Sequence, residues 1–154
     1  LFASQAVFRH LSKRGTEIGP LTQIGLGCLI CAAGYLVLAF GGNAIGGKVP
    51  LLLLLIYLVL VDLAVVLVWP SGLSIAASLA PKGQTGLWVG LFYLHGFFAS
   101  LWVGWIGTHY ETMGSTAFWL VHSAVSAAGA VLIAVSLLFT ALARHDAYAI
   151  TTSA

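Results

Sequence analysis

Charge is what this sequence has least of: six Lys or Arg and four Asp or Glu make up 6% of its 154 residues, against roughly 25% in an ordinary globular domain. A water-soluble domain of this size could not cover its surface with so few charges. Basic clusters are also missing beyond the Lys13-Arg14 pair, so the net charge of +2 gives a nucleic-acid partner no footing. No nucleotide-binding loop, zinc-ligand set or nucleophile triad occurs, and the expectation is that the chain is not an enzyme and needs no cofactor. There are two cysteines, Cys28 and Cys31, in a C-x-x-C. Inside an apolar segment that spacing reads as two small residues one turn apart rather than as a redox pair. Methionine occurs once, at position 113, and the first ten residues lack the charged start of a signal peptide. The chain is therefore read as a truncated piece, with 1–14 the tail of an earlier helix and its cytoplasmic loop.

What is abundant is apolar residue, 60% of the chain. It falls into four runs, 21–40, 49–80, 87–108 and 117–143, and Asp62 is the one formal charge inside them. A helix of about 20 apolar residues matches the hydrocarbon thickness of a bilayer. Membrane β-strands need short segments of alternating polarity, and the five leucines at 51–55 do not alternate. The expected fold is all-α, a polytopic transmembrane helical bundle in contact with the lipid bilayer.

Basic residues favour the cytoplasmic ends of membrane helices. Four crossings place Arg9, Lys13, Arg14, Lys82 and Arg144 on one side and Lys48 alone on the other. The five mark the cytoplasm, so both ends of the chain are expected inside, in a cell (inner) membrane.

The second run holds the features that suggest chemistry. Asp62 lies near mid-membrane, where an acid costs about 2.5–3.5 kcal/mol and so faces a bundle interior or an aqueous cavity. It is a candidate for substrate contact or proton coupling; the plainer alternative is a protonated side chain hydrogen-bonded to a neighbouring helix. Trp69, seven residues on, shares its face at about 100° per residue, and could line a cavity or simply fill a helix contact. Pro70 removes a backbone donor and is expected to kink the helix as a hinge with Gly72, Ser71 and Ser74 helping to satisfy the freed carbonyls.

In the third run, Gly90, Gly96, Gly104 and Gly107 are expected to allow close helix approach. His95 and His122 are intramembrane; a proton relay is one reading and a hydrogen-bonded structural histidine the other. Counting at 1.5 Å per residue leaves His95 and Asp62 at different depths. In the fourth run the small residues of 123–130 suit close packing.

The stretch 69–90, W-P-S-G-L-S-I-A-A-S-L-A-P-K-G-Q-T-G-L-W-V-G, resembles the proton-coupled oligopeptide transporters of the major facilitator superfamily. In them a P-x-G-L-S, a loop beginning L-A-P and a G-x-W-F on the next helix recur. Pro70, Gly72, Leu73, Ser74, Leu79, Ala80, Pro81 and Gly90 match, and Arg14-Gly15 and Gly25-Leu26-Gly27 fit the family's arginine-glycine loop and next helix start. The resemblance implies that the chain runs from the end of helix eight through helix twelve, the C-terminal portion of such a transporter, with the N-terminal half missing. It further implies proton-coupled uptake of a small peptide or related solute by alternating access, the proton being the coupling ion. The family's acid five residues before the proline is Val65 here, its serine directly before the proline is Trp69, and its aromatic pair is Phe92-Tyr93. The resemblance marks Val65 and Phe92 as site positions beside Asp62 and Trp69, and the departures suggest a changed substrate or a degraded copy. A non-transporting scaffold or receptor-like membrane protein is the alternative from another class.

Overall fold

The computed structural model describes residues 19–44 and 49–152, with side chains over 19–41 and 49–142. The expected tail at 1–14, and the side chains of Lys48 and Arg144, lie outside these. Among the described residues the regular structure is all helix, with no strand, in chain order α1 (Pro20–Ala44), α2 (Leu51–Leu79), α3 (Thr85–Gly107), the single turn α4 (Tyr110–Met113) and α5 (Ser115–Thr152). Four of these, all but α4, are long and apolar enough to cross a membrane. The chain is an integral, multi-pass membrane protein.

Local sequence sets the ends of these helices. At Pro50 the carbonyl accepts from the backbone N–H groups of Leu53 and Leu54 at 3.0 and 3.2 Å, opening α2. Ala80 is extended, as the residue before a proline tends to be, and Pro81 starts a tight turn closed by Gln84 N donating to Pro81 O at 3.0 Å. Gly83 in that turn and Gly114 between α4 and α5 have φ of 81° and 75°, the left-handed region that glycine enters without steric cost.

The central helix is α1, which packs against both α2 and α5. Its glycines at 27, 34 and 41 recur every seven residues and turn one face to α2. A Cβ added at Gly27 would lie 3.0 Å from the Ala64 carbonyl oxygen, one at Gly34 3.4 Å from Leu60, and one at Gly41 would meet Leu53. As the partners descend from 64 to 53 while the glycines ascend, the pair is antiparallel. The opposite flank of α1 meets α5, again antiparallel: Gly25 against Ile133, Cys28 against Gly129, and the Ser123 hydroxyl donating to the Ala32 carbonyl at 3.0 Å. Small residues matter here because lipid tails are as apolar as the side chains, leaving close van der Waals contact and interhelical hydrogen bonds to hold helices together.

Two expectations are corrected. Gly90, Gly96, Gly104 and Gly107 meet nothing within 4 Å among the described residues; the close approach falls on α1, whose glycines have the sevenfold spacing that α3 lacks. Nor does Ser71 serve a carbonyl freed by Pro70. Helix α2 runs unbroken through Pro70, and the Ser71 hydroxyl instead crosses to α1, donating to Gln23 Oε1 at 2.6 Å.

Candidate functional site

Helix α2 has two unlike sides. Ala64, Ser71 and Gly72 are its buried residues, and Ala64 and Ser71 stand seven apart on the side facing α1. Asp62 and Trp69 precede these two by two residues each, which turns them about 200° round the helix. Both are exposed, as is Val65. Asp62, eleven residues in from Leu51, lies about 16 Å along the helix, and Trp69 about 10 Å beyond it. Asp62 makes no hydrogen bond or ion pair among the described residues, so the bond to a neighbouring helix that a purely structural acid would make is not seen there.

Helix α3 reaches this side of α2 where glycine removes a side chain. Phe92 lies on Gly72: an added Cβ there would come 2.6 Å from Phe92 Cζ. That contact sets the register of the two helices and brings Trp69 against three rings of α3. Its ring centroid is 6.0 Å from Phe92, 5.6 Å from Tyr93 and 5.6 Å from His95, each meeting edge to face. Such geometry matches the ring quadrupoles and adds about 0.5–1.5 kcal/mol per pair beyond burial. The Phe92 and His95 rings come closer still, tilted at 48° with centroids 4.7 Å apart, and His95 Nδ1 donates to the Phe92 carbonyl. Trp69 is thus both a helix contact and a surface, since it remains 39% exposed.

Tyr93 and His95 join this patch although spacing along the sequence did not put them there. The signal lay in the register between helices: Gly72 on Phe92 sets His95 beside Trp69. Asp62 stands apart from His95, two turns of α2 away from the ring it touches. Pro70 is exposed beside the patch, and Gly72 admits Phe92 to the α2 backbone.

The second intramembrane histidine belongs to a different cluster. His122 on α5 is 9% exposed, donates from Nδ1 to the Phe118 carbonyl at 2.9 Å, and sits 5.4 Å from the Tyr35 ring and 6.0 Å from Trp119. Tyr57 of α2 completes the contact, 5.8 Å from Tyr35 and 6.0 Å from Trp119. These rings pack α1, α2 and α5 together, with His122 hydrogen-bonded among them. Cys28 and Cys31 are free thiols. Among the described residues no group of three His, Cys, Asp or Glu is placed to hold a metal ion.

What the α2 face offers chemically is a carboxyl able to accept a proton or bind a cation, and, two turns along, an open aromatic surface.

Three curated relatives resemble this chain, all named dipeptide and tripeptide permease B. That of Edwardsiella piscicida is 29% identical over 107 residues, covering 67% of this chain and 22% of the relative. Those of Aeromonas hydrophila and Salmonella typhimurium are each 29% identical over 106 residues, covering 66% and 67% of this chain and 21% and 22% of their own lengths. The chain therefore spans about a fifth of the length of the relatives it matches. No protein-family model and no solved structure matches it. The resemblance to peptide transporters first read from the W-P-S-G-L-S to G-L-W-V-G stretch is the one these three relatives bear out.

Proposed function

We propose that this chain is the C-terminal part of a secondary active transporter of the major facilitator type, carrying di- and tripeptides or a related small solute across a cell membrane by alternating access. The observation that carries this reading is the match of two-thirds of the chain to peptide permeases, on a fold of four span-length helices. Asp62 supports it from physics, since an acid exposed on one side of a mid-span helix is retained where it meets water, protein or substrate rather than lipid. In this account Asp62 contacts the substrate amine or takes the coupling proton, and the N-terminal half of the complete protein closes the pathway over the open side of α2. In this account both ends of the chain lie on the cytoplasmic side, the side to which the preference of basic residues for cytoplasmic loops assigns five of the six.

Val65, in place of the family's acid, favours one competing reading, a non-transporting relative used as a scaffold or receptor. Reconstitution separates the two. The complete protein in proteoliposomes with an inward proton gradient is expected to accumulate labelled dialanine, and Asp62→Asn to lower that accumulation and flatten its pH dependence. Absence of uptake would favour the scaffold; normal, pH-dependent uptake by Asp62→Asn would remove Asp62 from the mechanism.

A further inference from the structure

The open side of α2 puts two kinds of recognition in one line. Asp62 supplies an anionic group, and Trp69, in register at i+7 and about 10 Å along the axis, supplies an indole held in place from behind. Its ring is braced edge to face by Phe92, Tyr93 and His95 at 5.6–6.0 Å while 39% of the residue stays exposed. Bracing fixes the rotamer of a large side chain before anything binds, which lowers the ordering cost of using it as a contact surface. Tyr93 is itself 49% exposed and widens that surface. Because an acid at this depth is not left facing lipid, the side of the helix that carries Asp62 carries the aromatic patch toward the same aqueous path.

The geometry points to a substrate preference: an amine-bearing peptide whose second residue is aromatic, its amino group on Asp62 and its ring on the Trp69–Tyr93 patch. Two extended residues span roughly 7 Å, and the side chain of the second covers the remaining distance to the indole. The two departures from the transporter pattern that fall on α2, Val65 and Trp69, lie on this side and make it more apolar. The inference rests on the transport reading above and narrows it.

Its test uses the complete protein in proteoliposomes, with labelled dialanine as the transported probe and Gly-Gly, Gly-Phe and N-acetyl-Gly-Phe as competitors. Gly-Phe is expected to compete about fivefold better than Gly-Gly, the worth of one good aromatic contact. Trp69→Leu, which keeps bulk without a ring, is expected to abolish that preference, and Trp69→Phe to retain most of it. Acetylation is expected to weaken Gly-Phe in the parent protein and to make no difference in Asp62→Asn. Equal competition by Gly-Gly and Gly-Phe, or a preference that survives Trp69→Leu, would overturn the proposal. Should dialanine not be transported at all, the transport reading fails by itself. The substrate preference is then decided by thermal shifts of the purified protein: larger stabilisation by Gly-Phe than by Gly-Gly, lost in Trp69→Leu, upholds it, and equal shifts overturn it.

Discussion

The Ser71 hydroxyl on α2 donates a 2.6 Å hydrogen bond to Gln23 Oε1 on α1, one residue past the proline and one before the glycine on which Phe92 rests. It ties the stretch Trp69–Gly72 to the central helix, so the face that carries the candidate site is anchored from behind. Ser71 is 4% exposed, and interhelical side-chain bonds in membrane proteins average about 0.6 kcal/mol, with a maximum near 1.7. Ser71→Ala and Gln23→Ala combined in a double-mutant cycle are expected to show a coupling of about 0.6 kcal/mol in detergent unfolding. Strict additivity of the two changes would mean that the bond does not hold the helices.

The glycines of α1 differ in what stands opposite them. At Gly27 an added methyl meets the backbone carbonyl of Ala64 at 3.0 Å, as well as Val68, whereas at Gly41 it meets only the end of the Leu53 side chain. A leucine can rotate away; a helix backbone cannot. Gly27→Ala is therefore expected to cost about 1–3 kcal/mol, as overpacking does, and Gly41→Ala distinctly less. Melting temperatures of the two variants, measured side by side, check the order; Gly41→Ala being the more damaging would contradict the α1–α2 packing.

Gly72 and Phe92 form the join between α2 and α3. Gly72→Ala is expected to push Phe92 off the α2 backbone and lower peptide uptake, and the same change with Phe92→Val, which removes the obstructing ring, to restore much of the stability. Melting and uptake of the single and double variants give the answer. If Phe92→Val brings no recovery, the register assigned to the two helices is wrong.

Topology follows from the turn residues. Lys82 in the α2–α3 turn and Glu111 in α4 are both exposed and separated by one span. Single cysteines placed there, with Cys28 and Cys31 replaced by serine, are expected to react with an impermeant thiol reagent from opposite sides of the membrane, position 111 from outside. Labelling of both from one side would contradict a spanning α3.

Much of this architecture was legible in the sequence because the bilayer demands so little of it. Run length and the near absence of charge specify helices, and Asp62 and Trp69 share a face through i, i+7 spacing alone. Which helices touch was harder to read. Helices α1 and α3 hold five glycines each, so number says nothing of packing, and the three that face α2, Gly27, Gly34 and Gly41, are marked by their period. Tyr93 and His95 were not placed with Trp69 because no pattern along one helix encodes the height at which its neighbour stands. That height is set by Gly72 admitting Phe92. The Tyr35, Tyr57, Trp119 and His122 cluster escaped for the same reason, being drawn from three helices.

The central claim is that the side of α2 bearing Asp62 lines a peptide pathway. The most direct measurement is the reaction of Asp62→Cys, in the complete protein freed of other cysteines, with a water-soluble methanethiosulfonate, with and without dialanine. The account predicts that the thiol is modified and that the peptide slows its modification. A thiol that stays unreactive, or one whose rate is indifferent to peptide, would contradict it.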